Sequence, residues 1–183
     1  MTEQKRILVI KHGALGDFVL ATGPFQAIRD YHADDHITLM TTPFFQDMAR
    51  ACGLFDDIWL DNRPKFWQPG ALWELRNRLN QSGFARIYDM QTSTRSSFYF
   101  KMLTQPRPDW SGIAEGCSLP HDNVFRDEMH TLDRQAEQLA ICGIDTVPPP
   151  NLDWLTDDVE RFELPNPYAL LVPGGSAHRP GKR

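Results

Sequence analysis

The chain has 183 residues, 41% of them hydrophobic and 23% charged, and a net charge of −5. Those proportions support a packed domain without disulfide staples, and the acidic balance argues against general nucleic-acid binding, which needs a basic face. Cys52, Cys117 and Cys142 are far apart, with no Cys-x-x-Cys pair and no zinc-like His/Cys spacing, so no metal site is expected and a reduced, cytoplasmic protein is. The first apolar run, residues 7–10, is too short for a signal-peptide core or a membrane span.

Residues 6–11 (Arg-Ile-Leu-Val-Ile-Lys) read as a strand buried on both faces. Gly13 and Gly16 break it. A helix from Asp17 carries Val19, Leu20, Phe25 and Ile28, with a kink at Gly23-Pro24. Residues 36–41 are a second strand, 44–52 a helix stopped by Gly53, and 57–60 a third strand. The loop at 61–69 is rich in cations and aromatics: Arg63, Lys65, Phe66 and Trp67. A helix at 71–81 puts Leu72, Leu75 and Leu79 on one face and ends at Gly83. A fourth strand follows at 86–90, a helix at 93–103 and a short fifth strand at 110–114. Residues 115–128 show no period and are expected to form a surface loop. Met129, Leu132, Ala136, Leu139 and Ala140 then recur at helical spacing up to Gly143.

This alternation predicts an α/β, Rossmann-like, doubly wound parallel sheet over residues 1–146. Three consecutive prolines within residues 147–151 mark a stiff linker. Residues 152–183 are expected to begin a second domain, incomplete within this sequence, with a strand at 168–172.

Two segments carry candidate chemistry. His12-Gly-Ala-Leu-Gly-Asp17 follows the first strand, where open parallel sheets bind their ligands. Gly13 and Gly16 let backbone approach a ligand, and Asp17 opens a helix; an ordinary helix-start aspartate is the competing reading. The third glycine of the dinucleotide fingerprint is missing, and so is a P-loop Gly-Lys-Ser/Thr. The second segment runs from Gly174 to Arg183 after an apolar stretch. There Gly174 and Gly175 offer backbone, Ser176 a hydroxyl, Lys182 a point charge, and Arg179 or Arg183 a bidentate clamp for an anion. The competing reading is a frayed basic tail.

Four segments in order resemble glycosyltransferase family 9, the bacterial ADP-heptose:lipopolysaccharide heptosyltransferases and their relatives. They are residues 7–24, from Ile-Leu-Val-Ile-Lys-His-Gly-Ala-Leu-Gly-Asp; Asp89-Met-Gln-Thr-Ser-Thr-Arg-Ser96; residues 130–139; and residues 172–183. The resemblance implies a GT-B architecture, with an N-terminal domain for the acceptor and a C-terminal domain for the nucleotide sugar. It implies inverting transfer from ADP-heptose to a lipid-linked lipopolysaccharide core, with no cofactor or obligatory metal. Asp17 matches the family's general base. Lys182 and Ser176, with Gly13, Gly16, Gly174, Gly175 and Arg183, fall at the donor site. Arg63, Lys65 and Arg95 are the candidate acceptor cations, because the inner core is anionic. The enzyme would work in the cytoplasm, with peripheral contact at the inner face of the inner membrane. Lacking most of a donor domain, the 183 residues alone are expected to be inactive. The alternatives are a non-catalytic acceptor-binding fragment or partner module, and a Rossmann-type nucleotide-binding oxidoreductase, which the failed glycine fingerprint disfavours.

Overall fold

The computed structural model describes residues 4–158, 160–165 and 167–171. Six parallel strands form a single sheet: β1 (Arg6–Ile10), β2 (His36–Thr41), β3 (Asp57–Leu60), β4 (Arg86–Asp89), β5 (Asp109–Gly112) and β6 (Leu119–Pro120). Their order is β3-β2-β1-β4-β5-β6. The central strand pairs Ile7 with Ile37 of β2 on one side and with Arg86 of β4 on the other. Ile7, Leu8, Val9 and Ile10 have no exposed surface at all. That is why the sequence of β1 is an unbroken aliphatic run and not an alternating one: a central parallel strand is covered on both faces.

Six helices supply the covers: α1 (Leu15–Leu20), α2 (Thr22–Tyr31), α3 (Gln46–Ala51), α4 (Pro69–Gln81), α5 (Thr94–Met102) and α6 (Thr131–Ala140). One face of the sheet packs Ile7, Val9, Ile37 and Leu39 against Phe18, Phe25 and Ile28 of α1 and α2, Ala49 of α3 and Leu139 of α6. The other packs Leu8, Ile10, Met40 and Ile87 against Leu79 of α4 and Tyr99 and Phe100 of α5. Each large apolar side chain buried in this way contributes about 1.5–3 kcal/mol. The expected kink at Gly23-Pro24 is a break at Ala21 that separates α1 from α2.

Three sequence expectations change. The helix expected at 44–52 opens with a 3₁₀ turn, Pro43–Phe45, before α3. The stretch 115–128 is not wholly a surface loop: Leu119 pairs with Ser111 to make β6, and Cys117 and His121 are buried. Two residues are too few to show a period. Finally, no strand forms at 168–171, where all four residues are exposed; the remainder of that expected strand lies outside the described residues. A strand needs a neighbour for its backbone groups, and this segment meets none among the described residues.

The proline run is strapped to the domain. A Cβ added to Gly23 of α2 would lie 2.1 Å from the Pro148 carbonyl oxygen, and Val147 packs against the first core. We therefore expect Gly23→Ala to push this segment off α2 and to lower stability by about 1–3 kcal/mol, read as a fall in Tm. An unchanged Tm would show that the strap contributes nothing.

Candidate functional site

The strand order reverses at β1: β2 and β3 lie on one side of it and β4 to β6 on the other. Ligands of open α/β sheets bind beyond the strand ends at such a switch point. Here that point lies between the carboxyl ends of β1 and β4, and the chain has sewn it together. Lys11 Nζ donates to the Met90 carbonyl at 3.1 Å, and the His12 amide donates to Gln91 Oε1 at 2.9 Å. Burial pushes Lys11 down to about 8, with Arg134 adding to the fall and Asp17 and Asp89 opposing it.

The glycine loop after β1 is shaped by packing. Gly13 has φ +108°, and a Cβ there would sit 2.2 Å from the Phe45 ring. Phe45 in turn stacks on Phe18 with ring centres 4.9 Å apart. Gly13 is thus fixed by the fold. Gly16 is different: nothing lies within 4 Å of where its Cβ would be, so the bare backbone faces open space. Asp17 follows it on the first turn of α1, exposed, with Oδ2 accepting the Ala14 amide at 3.3 Å. Asp17 is therefore an exposed carboxylate beside open backbone in the loop after β1.

Beneath this loop lie two buried carboxylates: Asp61, which sequence reading did not single out, and Asp89, which opens one of the four family-like segments but was given no role. Asp61 follows β3. Its Oδ2 accepts the Tyr99 hydroxyl at 2.5 Å and lies 2.9 Å from His12 Nε2, off the line of a straight hydrogen bond, while Oδ1 accepts the Arg63 amide at 2.7 Å. Burial alone would raise its pKa, but the His12 and Tyr99 contacts outweigh burial and the net shift is downward. Burial and the Asp61 carboxylate both push the Tyr99 phenol up.

Asp89 ends β4. Its Oδ1 accepts the Gln91 and Thr92 amides at 3.1 and 2.9 Å, and Oδ2 has no partner among the described residues. Complete burial pushes it up to about 6, against the pull of those amides. Gly112 at the end of β5 makes the room: a Cβ there would come within 2.9 Å of Asp89 Cβ. Gln138 of α6 closes the floor, its Nε2 donating to the Asp89 carbonyl at 3.1 Å. The signal for both carboxylates was present in the sequence as an acidic residue ending an apolar run.

The candidate acceptor cations converge on one loop. Arg63 is exposed with φ +53°, a conformation supported by its amide bond to Asp61. Lys65 Nζ sits 5.0 Å from the centre of the Trp67 ring. Arg95, half-buried on α5, donates from Nη1 to the Pro64 carbonyl at 3.0 Å, so it braces the loop. Gly174, Gly175, Ser176, Lys182 and Arg183 lie outside the described residues. Among the described residues no cluster of His, Cys, Asp or Glu is arranged to hold a metal ion, and no helix is long and apolar enough to cross a membrane.

Solved structures share this fold at low identity. A glycosyl transferase of family 9 from Veillonella parvula superimposes with a TM-score of 0.65 at 19% identity, over 82% of this chain and 46% of that one. The Escherichia coli heptosyltransferase WaaC, solved with ADP-2-deoxy-2-fluoro heptose, gives 0.61 at 12% identity over 81% and 51%. The same enzyme with ADP gives 0.53 at 12% identity over 79% and 48%. The chain spans about half the length of these structures. No family model and no curated protein matches it. Over most of its length, then, the chain carries a fold seen in family 9 and heptosyltransferase structures.

The buried carboxyl of Asp89 makes a pH test available. Its folded value of about 6 exceeds the ordinary 3.8, so the folded state keeps a proton the unfolded chain has lost, and stability falls as pH rises between those values. Asp89→Asn retains an oxygen for the two amides and removes the titration. We expect the stability of the variant relative to the parent to improve from pH 4 to pH 7 by up to about 3 kcal/mol. A pH-independent difference in urea titrations would mean that Asp89 ionises like a surface carboxyl.

Proposed function

We propose that this chain is the acceptor-binding half of an inverting glycosyltransferase of family 9, moving heptose from ADP-heptose to a lipid-linked core oligosaccharide at the cytoplasmic face of a membrane. The observation that carries the reading is the placement of Asp17. It is an exposed carboxylate at the switch point, on the first turn after β1, with the open backbone of Gly16 beside it. Structural likeness to an enzyme solved with ADP-2-deoxy-2-fluoro heptose supports the choice of donor class.

In the reaction, an acceptor hydroxyl attacks the anomeric carbon from the face opposite the diphosphate. Its proton passes to an Asp17 oxygen as the new C–O bond forms, and the bond to ADP breaks with the electron pair leaving on the phosphate oxygen. Arg63 and Lys65 hold anionic groups of the acceptor, on a loop whose shape Asp61 and Arg95 set. Gly16 lets the donor approach the loop. Ser176, Lys182 and Arg183, with the backbone at Gly174 and Gly175, meet the leaving diphosphate from the second domain, which begins near residue 152. No metal is required, since those fixed cations neutralise the charge that develops.

The test uses a protein that joins this chain to a nucleotide-sugar-binding half, supplied with ADP-heptose and lipid-linked acceptor. Asp17→Ala should lower turnover by about 10²–10⁴-fold with the Tm unchanged. Full turnover by the alanine variant would remove Asp17 from the base role. Absence of any transfer by the parent, with donor shown to bind, would refute the acceptor assignment.

A further inference from the structure

The charge of this acidic chain is unevenly spread. Between residues 62 and 107 the sequence holds eight Lys and Arg and only two acidic residues, Glu74 and Asp89, and Asp89 is fully buried. The same segment carries three well-exposed aromatics, two of them tryptophans. Phe66 is 75% exposed, Trp67 73% and Trp73 64%. Large aromatics left in water cost the free energy that burial would recover, so three of them within residues 66–73 point to something that covers them.

The local geometry shows what kind of surface this is. Phe66 meets Phe98 of α5 edge-on, ring centres 5.5 Å apart. Together with Pro64 they form the apolar floor of a recess of about 380 Å³, and Arg95 and Lys101 stand at its rim. Lys65 stands over the Trp67 ring. Trp73 lies on the solvent side of α4, three residues before the exposed Arg76. Arg63, Lys65, Arg76 and Lys101 are all exposed, and none forms an ion pair among the described residues. Aromatic rings capped by unpaired cations match the boundary of an anionic bilayer, where rings enter the headgroup region and ammonium groups stay at lipid phosphates. A soluble protein partner would need acidic side chains placed against four separate cations, whereas a leaflet presents negative charge everywhere.

We infer that the 61–69 loop, with the outer faces of α4 and α5, docks this chain on an anionic lipid leaflet, Phe66, Trp67 and Trp73 entering the headgroup layer. The proposal deepens the membrane contact within the transferase reading and rests on it for its purpose. Its readout is vesicle binding without turnover, so either can fail alone.

The experiment is co-sedimentation of the 183-residue chain with vesicles of phosphatidylcholine alone and with about one-third phosphatidylglycerol. We expect binding to the anionic vesicles at least about tenfold stronger than to the neutral ones, weakening as salt is raised, with a blue shift of tryptophan emission. Phe66→Ser with Trp67→Ser, and separately Lys65→Glu with Lys101→Glu, should each weaken it about tenfold. These side chains are at the surface, and an unchanged Tm confirms that the variants fold. Failure of the parent to bind anionic vesicles, or binding by both double variants as strong as the parent's, overturns the proposal. So does concentration-dependent dimerisation that Phe66→Ser with Trp67→Ser abolishes in the absence of vesicle binding, which would assign the patch to a second copy of the chain.

Discussion

The structure depends on how it disposes of polar groups at the buried carboxyl ends of its strands. A doubly covered parallel sheet must stop somewhere, and each strand that stops inside the covers leaves backbone and side-chain polar groups away from water. An unsatisfied buried group costs about 1–3 kcal/mol, so several left unpaired would rival the net stability of a domain. Lys11 and His12 follow β1, Asp61 follows β3 and Asp89 ends β4. Lys11 and the His12 amide bond the turn after β4, Asp89 accepts two amides of that turn, and His12 lies against Asp61, which holds the turn after β3. Three loops that are distant in sequence thereby share a single polar floor.

That floor fixes what lies above it. Asp61 spends one oxygen on the Arg63 amide and thereby supports a backbone conformation that arginine seldom adopts. Arg95 braces the same loop through Pro64. The glycine loop after β1 is held from another side, by Phe45 filling the place where Gly13 has no side chain. Exposed groups with chemical potential, Asp17 and Arg63, therefore sit on loops whose shapes are decided by buried groups beneath them.

Much of this was legible in the sequence, for identifiable reasons. Strands covered on both faces leave aliphatic runs, and β1, β2 and β3 were read to within a residue. The break between α1 and α2 was visible in Gly23-Pro24. Less legible was whatever depends on contacts between distant segments. Two residues of β6 carry no period, and their pairing rests on the position of β5. Nothing local says that Gly23 is small because Pro148 packs on it, or that Gly112 makes room for Asp89. The glycine loop and Asp17 were found as a motif, and the 61–69 loop by its composition. Asp61 carries no signal of its burial, and Asp89 only its place in a motif, because an acidic residue after an apolar run looks the same whether it meets water or a tyrosine hydroxyl.

The division between glycines makes the same distinction at the site itself. Gly13 and Gly16 stand three residues apart in one loop and look interchangeable in the sequence. In the fold, Gly13 answers to an internal neighbour, and a side chain there would strike Phe45. Gly16 answers to nothing within the described residues, so packing gives no reason for it to be bare. Gly70 of α4 is equally open, so what sets Gly16 apart is its place in the loop after β1, beside an exposed aspartate. The burial lies one layer down, in Lys11, Asp61 and Asp89, whose work is to keep the exposed layer in place.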